Sequence, residues 1–371
     1  MKKVLILTAS TGDGHNLAAQ SLVETFTGNN FNAVKFDFIK ESGQLLNAFV
    51  VDGYRLLAFN MPKFYGKVYK VSDNHSFNSM IPSIVINKIE DGILGAINDN
   101  KPDIIVSTHA FAVSIVSKLK KENIIDVPFV SIVTDFKAHY AYIDDMVDAY
   151  ITGSEYTCHS MINRNVPRSK VFPFGIPIRK DFLINRECEN KFSDEYFNVL
   201  LMGGGMGLKF ITPVLKRLIE NEHKLKIVVI CGNNKDLKES LDKKFSKEFN
   251  NKYIRVLGYT RNIPEFMDEA DVIITKPGGL TVSEAIAKRL PMLLPYAIPG
   301  QEQENMDFLV NIGGAIDVSK MDNINDILDD LIEHPETLNR MRSNLSNIFQ
   351  HYSVESIVEL SDRLIDASKS S

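Results

Sequence analysis

Four residues invite a chemical reading before anything else in this chain: His15, His109, Asp135 and His139. Each follows a short apolar run, so each is expected at the carboxyl end of a strand. His15 closes Gly12-Asp13-Gly14-His15, between the run Lys3–Ala9 and the helical pattern that begins near Leu17. At a helix N-terminus the dipole disfavours imidazolium, which would leave His15 neutral and competent as a general base. The plainer reading is a capping histidine, although Gly12 and Gly14 imply close approach of a ligand. Asp135 and His139 are four apart and share a face if their loop turns helical. With the other histidines they would form a carboxylate–histidine metal site. Alternatively, Asp135 is itself the base, or orients and assists a histidine, while His109 and His139 hydrogen-bond substrate. A purely structural role competes with each of these readings, and spacing leaves them open.

The second half of the chain offers backbone rather than side chains. Gly203-Gly204-Gly205-Met206-Gly207 follows an apolar strand and precedes a helical pattern, a nest of N–H groups suited to a diphosphate. Thr275-Lys276-Pro277-Gly278-Gly279-Leu280-Thr281-Val282-Ser283-Glu284 makes a second such turn. There Thr281 and Glu284 read as a capping box, and Glu284 also as an acid for ribose hydroxyls. Next, Pro299-Gly300-Gln301-Glu302-Gln303-Glu304-Asn305 presents polar groups able to bind sugar hydroxyls. The plainer alternative is a solvated helix start. A dinucleotide fingerprint is half present, with Gly12, Gly14 and the acid Asp37, but Leu17 occupies the third glycine position.

These groups need a scaffold, and the patterning supplies one. Short β-branched runs alternate with helical-period segments, the signature of parallel α/β architecture. Strands are expected at Lys3–Ala9, Ala33–Ile39, Asp103–Ser107, Pro128–Thr134 and Ala149–Thr152. A second set is expected at Asn198–Met202, Lys226–Cys231, Ile254–Leu257, Val272–Thr275 and Met292–Pro295. Each half opens with strand, glycine turn and helix, which predicts two Rossmann-like domains with a seam near Pro173–Asp181. Two facing domains would make a cleft from the loops at their strand ends.

Composition narrows the partners. The chain has 371 residues, enough for two domains. Its 42 basic and 47 acidic residues leave a net charge of −5, which argues against a nucleic-acid partner. Cys158, Cys188 and Cys231 give neither a disulfide framework nor a zinc pattern, as expected for a reducing compartment. The apolar run after Met1 stops at Leu7, so neither a signal peptide nor a membrane span is expected. Residues 44–90 differ from the rest, being apolar, aromatic and locally basic. Phe64, Tyr65 and Tyr69 among Lys63, Lys67 and Lys70 suit a membrane interface or lipid acceptor, or else helices packed over the first sheet.

The segment Thr275–Asn305 resembles the donor-binding segment of inverting nucleotide-sugar transferases of glycosyltransferase family 28. The Gly-Asp-Gly-His start, Thr134-Asp135-Phe136-Lys137-Ala138-His139 and Phe174-Gly175-Ile176-Pro177-Ile178 resemble the monogalactosyldiacylglycerol synthase and processive diacylglycerol glucosyltransferase branch. That resemblance implies a GT-B fold, two Rossmann-like domains facing across a cleft. Residues 1–178 would face the acceptor and membrane, 179–350 would bind donor, and 351–371 would form a helix crossing back. It implies transfer, with inversion, of glucose or galactose from a UDP-sugar to diacylglycerol or a glycosyl-diacylglycerol. The enzyme would be cytoplasmic, peripheral on the inner face of the cell membrane, and would need no cofactor. No Asp-x-Asp pair flanked by apolar residues stands out as a metal–diphosphate ligand, so no metal is expected. By motif position His15 would be the base, with Asp135 its rival, and Glu284 the ribose ligand. Gln301 and Glu302 would be the sugar pair, and residues 203–207 with Gly278–Thr281 the diphosphate cradle. Gly14, His109, His139, Phe64, Tyr65 and Tyr69 would face acceptor or membrane. One position departs: the branch commonly has tryptophan where Tyr142 stands. Competing functions are N-acetylglucosaminyl transfer to a polyprenyl lipid, UDP-sugar epimerisation, a dinucleotide oxidoreductase and a non-catalytic sugar-nucleotide sensor.

Overall fold

The computed structural model describes residues 1–10, 12–43, 61–73, 83–184, 195–204, 210–245, 251–320 and 323–370. The apolar runs at 45–50 and 56–59 lie outside the described residues. The chain divides into two units. The first comprises Met1–Arg179, Ile298–Glu304 and His351–Ser371; the second comprises Lys180–Ala297 and Asn305–Gln350.

The first unit is built on a parallel six-stranded sheet. Its strands are β1 (Lys3–Thr8), β2 (Asn32–Asp37), β3 (Ile104–Ser107), β4 (Phe129–Ile132), β5 (Ala149–Ile151) and β6 (Val171–Phe172). Their spatial order is β2-β1-β3-β4-β5-β6. The central strands β3, β4 and β5 are buried along their whole length, because helices cover both faces of a parallel sheet. This explains why they read as unbroken apolar runs rather than alternating ones. The order reverses beside β1, whose neighbours are β2 on one side and β3 on the other. Such a reversal opens a crevice at the strand carboxyl ends.

The second unit repeats the plan with β7 (Phe197–Met202), β8 (Leu225–Ile230), β9 (Lys252–Leu257), β10 (Val272–Ile274), β11 (Met292–Leu294) and β12 (Ala315–Asp317). The order is β12-β11-β10-β7-β8-β9, so here the reversal lies between β7 and β10. All ten expected strands form. Among the described residues two further strands form, β6 and β12, edge strands of two and three residues.

The last helix, Val354–Ser370, is part of the first unit. Val354, Ile357, Val358, Leu360 and Ile365 pack with Val4, Ile6, Ala19, Leu22 and Phe26. Tyr352 secures its entry: the ring occupies the space a side chain on Gly175 (φ +89°) would need. The Ile178 N–H donates to the Tyr352 hydroxyl at 3.0 Å. Lys2 adds ion pairs to Asp362 and Asp366. No helix among the described residues is long and apolar enough to cross a membrane.

Candidate active site

His15 lies in the first turn of helix α1 (Asp13–Gly28), directly after β1. Its Nδ1 sits 2.7 Å from the Thr108 carbonyl oxygen at the end of β3, across the reversal point. A carbonyl only accepts, so Nδ1 carries the proton and Nε2 keeps a lone pair. This is the tautomer a general base requires. The Thr108 hydroxyl donates to the His15 carbonyl at 3.2 Å, so the two segments hold each other. Thr134 Oγ1 approaches Nδ1 to 3.4 Å and is itself bonded to the Tyr142 hydroxyl at 2.9 Å.

Burial holds the His15 pKa below its ordinary value, opposed by the Thr108 hydrogen bond. The neutral state was expected from the helix dipole; removal from water is instead the leading cause. His109 stacks edge-on against His15, with ring centroids 4.6 Å apart, and is pushed well below 6.5 by burial and by that neighbour. Two imidazoles in contact cannot both be charged cheaply, so the His15 ring favours the neutral form of His109.

His109 also accepts the Phe111 N–H at 3.1 Å, capping helix α2 (Ala110–Lys121). Asp37, the acid of the dinucleotide reading, binds Ser10 and Asn16 and caps the short helical turn Phe38–Glu41 by accepting the Lys40 N–H. Its carboxylate is thus part of the β1–α1 framework.

The loop of Asp135 and His139 corrects a second expectation. It is not helical; residues 135–137 bend and a single 3₁₀ turn follows at Tyr140–Tyr142. His139 caps that turn, its Nδ1 accepting the Ala141 N–H at 3.1 Å. Its Nε2 lies 3.3 Å from both the Tyr69 carbonyl and the Ser72 hydroxyl. This geometry gives His139 a structural role in holding the loop against Tyr69 and Ser72. The negative charge of Asp135 helps raise the pKa of both Tyr69 and Tyr142, behind the larger effect of their burial. Among the described residues no group of three or more His, Cys, Asp or Glu is placed to hold a metal ion.

Helix α3 (Pro62–Ser72) turns the basic–aromatic segment into two faces. Met61, Phe64 and Val71 are exposed by 50, 50 and 60%, beside exposed Lys63, Lys67 and Lys70. Tyr65 is half-buried and Gly66 is buried. Tyr69, expected to face a membrane, points inward instead: its hydroxyl donates to Glu304 at 3.0 Å, and its ring lies 4.7 Å from that of His139. Arg164 anchors the end of the helix by a bidentate pair with Asp73, at 2.6 and 2.7 Å.

In the second unit the two glycine turns meet at the β7/β10 reversal. Gly204 (φ +74°) takes a conformation that disfavours side chains, and a Cβ there would lie 3.4 Å from Lys276 Cε. Gly205, Met206 and Gly207 lie outside the described residues. Lys276 was passed over in the motif; its signal was its place directly behind β10. Helix α4 (Gly279–Ala287) is capped by Gly278 without any side-chain cap, which corrects the Thr281/Glu284 capping box. Gly279, Leu280 and Thr281 form its first turn, while Glu284 sits mid-helix and only 9% exposed. Asn305, fully buried, donates to the Pro277 carbonyl at 3.0 Å and so ties the last motif residue to the turn.

Helix α5 (Gln301–Asn311) begins with the expected sugar pair. One oxygen of Glu302 accepts the Ile298 N–H at 3.0 Å, bracing the loop before it.

Comparison with known proteins shows the family and the fold. Residues 15–178 match the model described as monogalactosyldiacylglycerol (MGDG) synthase, and residues 198–358 match the glycosyltransferase family 28 C-terminal domain. The processive diacylglycerol beta-glucosyltransferase of Bacillus subtilis (strain 168) is 30% identical over 370 residues, covering 96% of this chain and 94% of the relative. Among solved structures, MurG of Acinetobacter baumannii superposes with a TM-score of 0.66 at 18% identity, covering 98% of this chain and 100% of that one. The UDP-GlcNAc 2-epimerase of Neisseria meningitidis gives 0.61 at 16% identity, over 98 and 100%. The architecture is thus the GT-B fold, which epimerases share; at such identities it speaks for fold alone.

Proposed function

We infer the reaction from one premise: the chain belongs to the family of diacylglycerol glycosyltransferases that join a monogalactosyldiacylglycerol-synthase domain to a glycosyltransferase family 28 C-terminal domain. It is a UDP-sugar-dependent hexosyltransferase that forms membrane glycolipid from a diacylglycerol-type acceptor. The glucosyl name of the full-length relative favours UDP-glucose over UDP-galactose as donor. The observation that carries the chemistry is the His15 bond to Thr108: Nδ1–H is held by a main-chain carbonyl, so Nε2 of the neutral ring is the accepting nitrogen.

The acceptor hydroxyl must lose its proton as its oxygen attacks the anomeric carbon. Nε2 of His15 takes that proton, and the Thr108 carbonyl, already bonded to Nδ1–H, steadies the imidazolium that results. The C–O bond to the leaving diphosphate breaks on the opposite side of the sugar, which inverts the anomeric centre. Main-chain N–H groups of the Gly203–Gly204 turn and of the α4 N-terminus, with the Lys276 ammonium, receive the charge that develops on the diphosphate. Glu284 holds the ribose hydroxyls, and Gln301 with Glu302 the hexose. Charge neutralisation of this kind needs no metal, so transfer is expected to persist in EDTA.

The exposed apolar stripe of α3 beside its three lysines suits the surface of an anionic bilayer, which supports peripheral binding at the inner face of the cell membrane. Incubating the protein with diacylglycerol vesicles and UDP-glucose or UDP-galactose, then identifying lipids by mass spectrometry, tests the reading. A hexosyl-diacylglycerol is the expected product. A water-soluble sugar isomer without glycolipid would overturn it in favour of epimerisation.

A further inference from the structure

The segment Ile298–Glu304 carries the sugar pair, yet it belongs to the same unit as His15 and α3. It is seated closely on α3. A Cβ on Gly66 would lie 2.7 Å from Pro299 Cβ, and one on Gly300 (φ +110°) would lie 2.8 Å from Tyr69 Cγ. Both glycines are therefore required for the approach, one on each side. Glu304 then fastens the segment through both carboxylate oxygens: Tyr69 donates to Oε2 at 3.0 Å and Lys137 to Oε1 at 2.8 Å. Its own N–H donates to the Gly300 carbonyl at 3.0 Å, closing the first turn of α5. Gln301 and Glu302 lie inside that turn, between the two fastened residues.

We propose that Tyr69 and Lys137 are positioning residues for the donor hexose: by gripping Glu304 they orient Gln301 and Glu302. This rests on the reading above, that the Gln301–Glu302 pair contacts the sugar. Lys137 and Glu304 are both partly exposed, and such an ion pair alone holds little. The phenol adds a more directional bond. Asp135 and Asp73 face Tyr69 along with Glu304, and burial with these charges keeps the hydroxyl protonated as a donor. Loosening the grip should free the hexose and leave the affinity for uridine diphosphate unaffected, since the proposed reading assigns the diphosphate to other residues.

The test compares wild type, Tyr69→Phe and Lys137→Met as full chains. Calorimetry reads the affinity for UDP and for UDP-glucose separately, and kinetics with dioctanoylglycerol in mixed micelles read KM and kcat. Tyr69→Phe is expected to keep UDP affinity within about twofold while weakening UDP-glucose binding and raising its KM by about tenfold, the scale of a lost hydrogen bond to a charged group. Lys137→Met should do the same to a smaller degree, and the double variant should fall short of the sum, since both act through Glu304. Should Tyr69→Phe fail to fold, the partly exposed Lys137 site carries the same comparison. Parallel loss of UDP and UDP-glucose affinity would reduce both residues to structural supports and overturn the proposal, as would no change in either. Absence of lipid product in wild type would instead strike the preceding reading, because the binding comparison needs no acceptor.

Discussion

Two turns that look alike in the sequence work by different means. Gly12-Asp13-Gly14-His15 and Gly203–Gly207 each join the first strand of a unit to a helix, and each reads as a phosphate-binding loop. Yet Gly12 has φ 178°, an extended conformation open to any residue, and among the described residues a Cβ there would touch nothing. Gly204 has φ +74°, where a side chain is strained, and Lys276 lies against it. The first turn holds a side chain, with His15 locked to Thr108; the second, on the proposed reading, offers main-chain N–H groups beside a cation. A glycine-rich turn therefore does not identify its ligand. What decides is whether the backbone needs the glycine and what the neighbouring strand brings to it.

The comparison is broken most directly at His15. His15→Ala should lower transfer by the 10²–10⁴-fold typical of a lost general base, with UDP affinity kept within about threefold. Near-normal turnover would return the first turn to a structural role. If Asp135→Asn gives the large loss instead, the base belongs to the β4 loop. The second unit should answer in the opposite sense. Glu284→Ala is expected to weaken UDP binding by about 2 kcal/mol, the scale of charge-assisted hydrogen bonds, which titration calorimetry would register. Unchanged affinity would leave Glu284 without a ligand.

A smaller effect separates the two faces of α3. Replacing Phe64 and Val71 by serine should reduce sedimentation with anionic vesicles, and replacing Lys63, Lys67 and Lys70 by glutamine should make the remaining binding less sensitive to salt. Tyr69→Phe should leave sedimentation unchanged, since its hydroxyl faces Glu304. Equal vesicle binding by all variants would remove the membrane role of this helix.

The gentlest test is pH. Both His15 and His109 have folded-state values below 6.5, so between those values and 6.5 the unfolded chain binds more protons. Stability should therefore fall as pH drops below 6.5, and the acid limb of kcat should also lie below 6.5. Thermal unfolding and rate profiles from pH 5 to 8 would show both, and His15→Ala should flatten part of the stability gradient. A limb at or above 6.5 would contradict the buried neutral pair.

The strands were legible because a parallel sheet covered on both faces needs continuous apolar runs, as in Ile104–Ser107 and Phe129–Ile132. Strand ends in turn located His15, His109, Asp135 and the two glycine turns, since open α/β sheets expose those ends to ligands. The family, too, was carried by contiguous motifs. Local sequence alone settled these matters because each depends on neighbours a few residues apart. It did not settle what a side chain does once the chain is folded. His139 reads like His15 but caps a 3₁₀ turn. Glu284 reads as a cap but lies buried mid-helix, because the helix starts three residues earlier than a Thr281 cap would require. Tyr69 reads as a membrane aromatic but reaches Glu304, 235 positions away. Lys137 reaches the same carboxylate from 167 positions away. Hydrogen bonds and burial join residues distant in sequence, and only the packed tertiary structure brings them within 3 Å of one another.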